Sequence, residues 1–148
     1  MNLFLLIIIG AILFEYCLNF ISRHLNLQCL NIRLPAEFDG FYNADEYTKS
    51  QNYTRTSSHF CNITATLNLL VVLCAIYFSL FEALDKFSRS FGYSPLTTGL
   101  IFLGIITIVQ DIISTPFNLY STFIIEEKFG FNKSTFKIYI IDKLKLYI

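Results

Sequence analysis

Residues 3–14 read LFLLIIIGAILF, and this apolar run continues to Ile21 with Glu15 and Asn19 as its strongly polar interruptions. A helix needs about 20 apolar residues to cross the hydrocarbon core of a bilayer, so a run of this length predicts a membrane span. Two runs further along the chain are as long. The predicted spans are residues 3–21, 60–84 and 96–120. The pattern therefore predicts an all-α fold of polytopic membrane helices.

The composition of the chain agrees with a membrane protein. Of 148 residues, 54% are apolar and 15% are charged, and the mean hydropathy is +0.53, whereas an average soluble chain carries about 25% charged residues. Eleven Lys and Arg balance eleven Asp and Glu, so no excess of basic charge favours a nucleic-acid partner. The composition excludes a charged disordered tail, gives no electrostatic reason to expect a nucleic-acid partner, and favours a membrane protein over a soluble all-helical domain.

The two ends of the chain need separate interpretation. Residues 1–21 carry no basic side chain before the apolar run and no small-x-small cleavage site after it, which favours a retained helix over a cleaved signal peptide. The last apolar run, residues 136–148, has 13 residues and is too short to span a bilayer. We expect the tail, residues 121–148, to lead into an incomplete fourth helix of a truncated chain.

Basic residues are unevenly distributed between the predicted loops. Four Lys and Arg lie in residues 22–59 and five in the tail, against two in the turn between residues 85 and 94. Loops rich in Lys and Arg stay in the cytoplasm, so we expect the N-terminus outside and both the loop and the tail in the cytoplasm. This orientation would leave the sequons at Asn52 and Asn132 unmodified.

Small and polar side chains recur at helical spacing inside each predicted span. In the third span they are Gly104, Thr107, Asp111, Ser114 and Asn118. In the second they are Cys61, Thr64, Asn68, Ala75, Ser79 and Glu82, and in the first Ala11, Glu15 and Asn19. Steps of three and four place such residues on one face of a helix. We expect the three faces to turn toward one another or toward a water-filled space.

Asp111 is the most informative of these residues, because a carboxylate inside a membrane span is energetically costly. It could line a polar chamber or contact a substrate. It could equally be a buried carboxylate that is hydrogen-bonded to a neighbouring side chain such as Asn68 or Gln110, and the sequence leaves both open. Pro116 cannot donate a hydrogen bond to the carbonyl of Ile112 and is expected to kink the helix.

Catalytic and metal-binding patterns are missing from the sequence. The two histidines, His24 and His59, belong to no H-E-x-x-H motif, and the sequence has no G-x-S-x-G motif and no phosphate-binding glycine loop. The four cysteines form no C-x-x-C pair, which favours buried free thiols over disulfides or metal ligands. The sequence therefore supplies no complete catalytic site.

Two segments carry a family resemblance. Residues 34–55 read LPAEFDGFYNADEYTKSQNYTR, and residues 114–135 read STPFNLYSTFIIEEKFGFNKST. With FEYCLN at 14–19 and IIDKLK at 140–145, they resemble the N-terminal membrane domain of the CAAX prenyl protease 1 family over nearly the whole chain. The matching scaffold residues, to which no chemical role is assigned, are Pro35, Glu37, Tyr47, Tyr53, Asp111, Pro116, Tyr120, Glu126, Glu127 and Asn132.

Glu126 and Glu127 directly follow the third predicted span. The plain interpretation is a solvated junction, with Gly130 helping the chain to turn. The alternative is that the two carboxylates dock on a cytoplasmic catalytic domain outside this chain. The sequence does not distinguish between these interpretations.

The resemblance implies that residues 1–148 are the N-terminal membrane domain of a zinc metalloendopeptidase. Members of that family remove the last three residues of prenylated C-a-a-X proteins, and a bacterial relative would act on another membrane substrate. Their helices enclose an intramembrane chamber, and two histidines of H-E-x-x-H and a later glutamate hold the zinc. None of these ligands occurs in this chain, so we expect zinc only in the full-length family member, and no peptidase activity in this chain alone.

The resemblance also implies partners and a location. The implied partners are the lipid bilayer, a C-terminal catalytic domain and a membrane-associated protein or peptide substrate, in a bacterial inner membrane or the endoplasmic reticulum. The competing hypothesis is a non-catalytic membrane scaffold or complex subunit. Residues 136–148 would then form an interfacial helix with Lys137, Lys143 and Lys145 at the lipid headgroups. An H-E-x-x-H motif encoded downstream would favour the protease.

Overall fold

The computed structural model describes residues 3–30 and 43–145, and within them the chain forms helices and turns without a β-strand. The helices are α1 (Leu3–Cys29), α2 (Ala44–Tyr77), α3 (Leu80–Ser90), α4 (Pro95–Tyr120) and α5 (Phe136–Lys145), and a π-helical segment (Ser121–Glu126) continues α4. Three helices are long and apolar enough to cross a membrane, namely Leu3–Cys29, Ala44–Tyr77 and Pro95–Glu126. The predicted class of polytopic membrane helices is confirmed.

The start of α2 is fixed by a side-chain cap. The side-chain oxygen of Asn43 accepts a hydrogen bond of 3.0 Å from the backbone N–H of Asp45, which satisfies one of the free donors at a helix N-terminus. Asp45 and Glu46 lie in the first turn, where negative charge is favourable next to the positive end of the helix dipole. Residue 44 therefore begins a helix although the surrounding sequence is polar.

This early start corrects the predicted loop over residues 22–59, most of which is helical. Residues 22–29 belong to α1 and residues 44–59 to α2. Hydropathy indicates where a chain crosses a bilayer and not where a helix begins. It therefore did not predict the polar first turns of α2. The predicted scaffold residues Pro35 and Glu37 lie outside the described residues.

The apolar run predicted as the second span is not one helix. The helix α2 ends at Tyr77, and Ser79 has a left-handed backbone with a φ of 53°. That conformation costs a residue with a Cβ about 1–2 kcal/mol and interrupts a right-handed helix. The chain restarts as α3, so the span predicted to reach residue 84 ends earlier. Because the residues around the break are apolar, hydropathy did not reveal it.

The polar face of α3 carries two ion pairs between successive turns. Lys86 Nζ lies 2.7 Å from a carboxylate oxygen of Glu82, and Arg89 Nε lies 2.8 Å from one of Asp85. The hydrogen bond from Lys86, and after it the positive charge, lower the pKa of the Glu82 carboxyl. Glu82 is thus an exposed member of a helical ion pair and not part of an inward-facing stripe, as the sequence pattern had suggested.

The helix α1 packs antiparallel against α2 through two polar contacts. The Tyr16 hydroxyl lies 2.8 Å from Oγ1 of Thr66, and Arg23 Nη1 donates to the side-chain oxygen of Asn62 at 3.2 Å. The face predicted to turn toward the other helices or toward a water-filled space, at Ala11, Glu15 and Asn19, is exposed and does not carry these two contacts. The contact is made by the long side chains of Tyr16 and Arg23, which reach α2. The spacing of the small and polar residues did not predict this contact.

The helix α4 continues through Pro116 to Tyr120 and then widens into the π-helical segment. Proline removes one backbone donor from the helix interior. Ser114 and Thr115, directly before the proline, donate their hydroxyl groups to the carbonyl of Asp111 at 3.1 and 2.6 Å. Such bonds back to the preceding turn bend helices, so the irregularity of this span involves more than the proline.

The apolar side chains most deeply buried among the described residues lie just after α4. Ile125 is 4% exposed and Phe129 is 8% exposed. Most other large apolar side chains are exposed, which suits helices whose solvent is lipid. Gly130 follows Phe129 with a φ of 70°, so the chain turns there, as its glycine predicted.

Replacing Gly130 with alanine is expected to lower the free energy of unfolding by about 1–2 kcal/mol, because the left-handed backbone is strained for any residue with a Cβ. The added Cβ would also lie 3.3 Å from Nζ of Lys49, whose flexible end can move away. The matched control is Gly104→Ala within α4, where a Cβ would meet nothing within 4 Å. Chemical unfolding in mixed micelles measures the stability of both variants. Equal losses of unfolding free energy for Gly130→Ala and Gly104→Ala would contradict the prediction.

Candidate functional site between α4 and α5

The candidate site is an ion pair between two helices. Lys143 Nζ on α5 lies 3.1 Å from Oδ1 of Asp111 on α4, and their side chains are 24% and 29% exposed. Asp111 lies 16 residues after the first residue of α4, about 24 Å along the axis at 1.5 Å per residue. Asp111 therefore lies near the middle of a candidate span, and the partly buried charge of Lys143 on α5 neutralises it.

The ion-pair partner of Asp111 was not among the residues that the sequence suggested. Asn68 lines a different cleft, on the α2 side of α4, and Gln110 is exposed. Lys143 reaches Asp111 because α5 runs back along the end of α4. A search for the basic residue able to neutralise a carboxylate within a span would have drawn attention to Lys143, the lysine inside the apolar run of α5.

Lys143 also has a second and a third contact. Its Nζ donates to Oγ1 of Thr115, one turn after Asp111, and lies 5.9 Å from the ring centroid of Tyr139. An ammonium group over an aromatic ring is attracted by the ring face. The alternative in which Lys143 reaches the lipid headgroups is therefore wrong for this residue, because its charge points toward α4. Lys145 is exposed instead and pairs with Asp142 at 3.1 Å.

An open groove surrounds the ion pair and has a volume of about 430 Å³. Its polar lining comprises Asp111, Thr115, Tyr139 and Lys143, and its apolar lining comprises Ile108, Ile112, Leu119, Phe136, Ile140 and Leu144. The only charged residues in this lining are the paired Asp111 and Lys143. The groove thus offers an apolar surface with one neutral polar patch.

The polar faces of α2 and α4 meet on the other side of α4, as the spacing of their residues predicted. They form a cleft of about 170 Å³. Its polar lining comprises Cys61, Thr64, Asn68, Ser114, Asn118 and Ser121. Phe60 and Tyr120 stack beside it with ring centroids 5.0 Å apart. Asp111 faces the groove and not this cleft, so the predicted stripe on α4 is divided between two surfaces.

Several of the scaffold residues come together at the turn after the π-helical segment. The ring of Tyr53 on α2 lies 5.7 Å from that of Phe129 and 4.8 Å from that of Phe131. Asn132 donates its side-chain amide to a carboxylate oxygen of Glu127 at 3.0 Å. Glu127 is therefore exposed, and its carboxylate also stabilises the turn through this hydrogen bond.

The remaining scaffold residues take structural positions. The backbone carbonyl of Glu126 accepts hydrogen bonds from the N–H groups of Phe131 and Asn132 at 2.8 and 3.3 Å. Tyr47 is half-buried in the first turns of α2, and Pro116 is exposed on α4. None of these geometries assigns a chemical role to the residue concerned.

The described residues do not fit a metal ion. Within residues 3–30 and 43–145, no group of three or more His, Cys, Asp or Glu side chains could hold one. The four cysteines are free, as the sequence predicted, but they are exposed and not buried as expected. The zinc that the family resemblance implies therefore has no candidate ligand set in this part of the chain.

The long apolar helices, the polar cleft between α2 and α4 and the ion pair on α4 define a polytopic α-helical membrane protein. Comparison with known families then identifies the family of membrane proteins to which the chain belongs. The chain belongs to the CAAX prenyl protease N-terminal family, since the family model described as "CAAX prenyl protease N-terminal, five membrane helices" matches residues 23–148.

Curated relatives and a solved structure agree with this family. The chain is 38% identical over 124 residues to "Probable CAAX prenyl protease 1" of Schizosaccharomyces pombe, covering 75% of this chain and 26% of that protein. It is 29% identical to "CAAX prenyl protease 1" of Saccharomyces cerevisiae, over 76% of this chain and 27% of that protein. The chain thus spans about a quarter of the length of the curated relatives that it matches.

The fold is similar to a crystal structure of S. mikatae Ste24p. The TM-score is 0.84 at 27% sequence identity, and the match covers 98% of this chain and 35% of that one. The similarity therefore extends over the helices α1 to α5 and confirms both the helical architecture and the family.

Proposed function

We propose that this chain forms the N-terminal membrane domain of a zinc metalloendopeptidase that cleaves the C-terminal tripeptide from prenylated CAAX proteins. In this proposal the chain anchors the enzyme in the bilayer and supplies part of the wall of its intramembrane chamber. Residues that this chain does not contain would supply the zinc ligands and the catalytic glutamate. The observation that carries the proposal is the match to S. mikatae Ste24p over 98% of the chain.

The geometry of the described residues supports a structural role. Asp111 and Lys143 neutralise each other at 3.1 Å, and the described residues hold no metal cluster. The two charges are thus satisfied by each other across the contact between α4 and α5. We therefore propose that Asp111 and Lys143 position α5 against α4 and take no part in peptide hydrolysis.

A chimera tests the proposed function. The chain is joined to the part of the S. pombe relative that follows the matched region, and release of the tripeptide from a farnesylated CAAX peptide is measured in vesicles. We expect cleavage by the chimera and none by the 148-residue chain alone. A chimera that inserts and folds but does not cleave, while the chain purifies with a defined protein partner, would favour the non-catalytic scaffold or subunit.

We propose that the N-terminus faces the outside, or the lumen, and that the segment between α1 and α2 and the tail face the cytoplasm. The asymmetry of Lys and Arg supports this orientation. The eukaryotic relatives favour the endoplasmic reticulum over a bacterial inner membrane.

Glycosylation in endoplasmic reticulum membranes checks this orientation. We expect the natural sequons at Asn52 and Asn132 to remain unmodified, and a sequon on a short spacer before Met1 to be modified, because glycans are added only in the lumen. Modification of Asn132 together with an unmodified N-terminal sequon would show that the orientation is reversed.

A further inference from the structure

The short helix α3, between the second and third spans, has two chemically opposite faces. Its apolar residues recur at steps of three and four, and its charged residues lie on the opposite side. The apolar face consists of Leu80, Leu84 and Phe87, and Phe91, directly after the last residue of the helix, continues it. The charged face consists of Glu82, Asp85, Lys86 and Arg89. With 11 residues, α3 is too short to cross a bilayer.

The apolar face of α3 remains largely uncovered in this chain. Leu80 and Phe87 are each 54% exposed, and Phe91 is 49% exposed. The rings of Phe87 and Phe91 lie 5.2 Å apart, and Phe91 stacks on Tyr93 at 6.3 Å, which makes them one continuous aromatic surface. Exposed Phe and Leu side chains opposite a charged face are typical of amphipathic helices that lie in the membrane interface.

The position of α3 in the fold places it next to the ends of two candidate spans. Short connections join it to α2 on one side and to α4 on the other, and both are candidate spans. Ser88 is completely buried, and Thr98 in the first turn of α4 is 7% exposed, where α3 and α4 pack together. This contact holds α3 beside the end of a span.

The charges of α3 are satisfied within the helix. Glu82 pairs with Lys86, and Asp85 pairs with Arg89, so the polar face carries two positive and two negative charges in neutral pairs. Attraction to anionic headgroups needs an excess of basic charge. The apolar area of α3, and not its charge, therefore determines its affinity for lipid.

We propose that α3 lies in the plane of the membrane interface, with Phe87 and Phe91 inserted among the lipid chains, and that this lipid-binding surface has no preference for headgroup charge. The ion pairs face the aqueous side. In this arrangement α3 anchors the connection between the second and third spans.

Tryptophan reporters test this proposal, because the 148-residue chain has no Trp. Phe87→Trp places a single reporter on the apolar face, and Lys86→Trp places the matched control on the charged face. The variants are reconstituted in phosphatidylcholine vesicles whose acyl chains carry bromine near the headgroup. We expect brominated lipid to quench Phe87→Trp emission about two-fold or more, and iodide in the buffer to quench mainly Lys86→Trp. Vesicles that also contain phosphatidylserine should give the same result.

The proposal is overturned if brominated lipid does not quench Phe87→Trp, or if quenching requires phosphatidylserine. It is also overturned if Phe87→Trp is protected from both brominated lipid and iodide even when the protein is dilute in the vesicles, because a protein surface would then cover α3. Phe91→Trp is a second reporter on the same face and must behave like Phe87→Trp. This guards against a local effect of either substitution.

Discussion

Replacing Asp111 with alanine is expected to lower the free energy of unfolding by about 2 kcal/mol, between the values for exposed and buried ion pairs. The reason is that Lys143 would be left without its partner at a position where its side chain is only 24% exposed. Chemical unfolding in mixed micelles measures this loss. In the proposed full enzyme, Asp111→Ala should reduce the yield of folded protein more than Glu126→Ala does.

The matched control is Lys145→Met. It removes an ion pair of similar length at the exposed end of α5, the helix that carries Lys143. Lys145 and Asp142 are 68% and 62% exposed, so the expected loss is no more than about 0.5 kcal/mol. The double variant Asp111→Ala with Lys143→Met should recover most of the stability, since no uncompensated charge remains. If Asp111→Ala and Lys145→Met cost the same, the α4–α5 ion pair has no special structural role.

Phe129→Ala is expected to cost about 3 kcal/mol, because the side chain is 8% exposed and truncation of a buried Phe leaves a cavity. The turn after α4, where the ring of Phe129 contacts Tyr53 of α2, should lose most of this stability. Unfolding in mixed micelles gives the total. Protease cleavage between α4 and α5, measured under native conditions, reports on the turn itself.

Phe131→Ala is the matched control for this second prediction. Phe131 packs closer to Tyr53, with ring centroids 4.8 Å apart, but it is 47% exposed. Its truncation should therefore cost only about 1 kcal/mol, since less apolar surface is removed from contact. A larger loss for Phe131→Ala than for Phe129→Ala would show that the contact with Tyr53, and not burial, stabilises the turn.

The sequence predicted the spans well where hydrophobicity was the governing physical quantity. The runs beginning near Leu3 and Leu96 correspond to α1 and α4, because only apolar helices are stable in hydrocarbon. The periodicity of Thr64, Asn68 and Asn118 also predicted the polar cleft between α2 and α4. Both properties depend on residue type and spacing within a single helix.

The rest of the structure depends on contacts between segments that are distant in the sequence. Lys143 is 32 positions after Asp111 in the sequence; its place in an apolar run makes it a candidate partner, but only the fold shows that it reaches Asp111. The break at Ser79 depends on one backbone angle within an apolar run. The contacts of Tyr53 with the turn after α4 likewise needed the register of two antiparallel helices.

The length of α2 has a mechanical consequence for the contact between its N-terminal part and the turn after α4. Its 34 residues measure about 51 Å at 1.5 Å per residue, whereas the hydrocarbon core is about 30 Å thick. The helix is therefore about 20 Å longer than the hydrocarbon core is thick, and Tyr53 lies in its polar N-terminal part, where it contacts Phe129 and Phe131 of the turn after α4. Because this part of α2 is helical, it holds Tyr53 at a fixed distance from the apolar part of the helix. Inserting one helical turn between residues 53 and 60 would move Tyr53 by about 5 Å along the axis and should break its contacts with that turn.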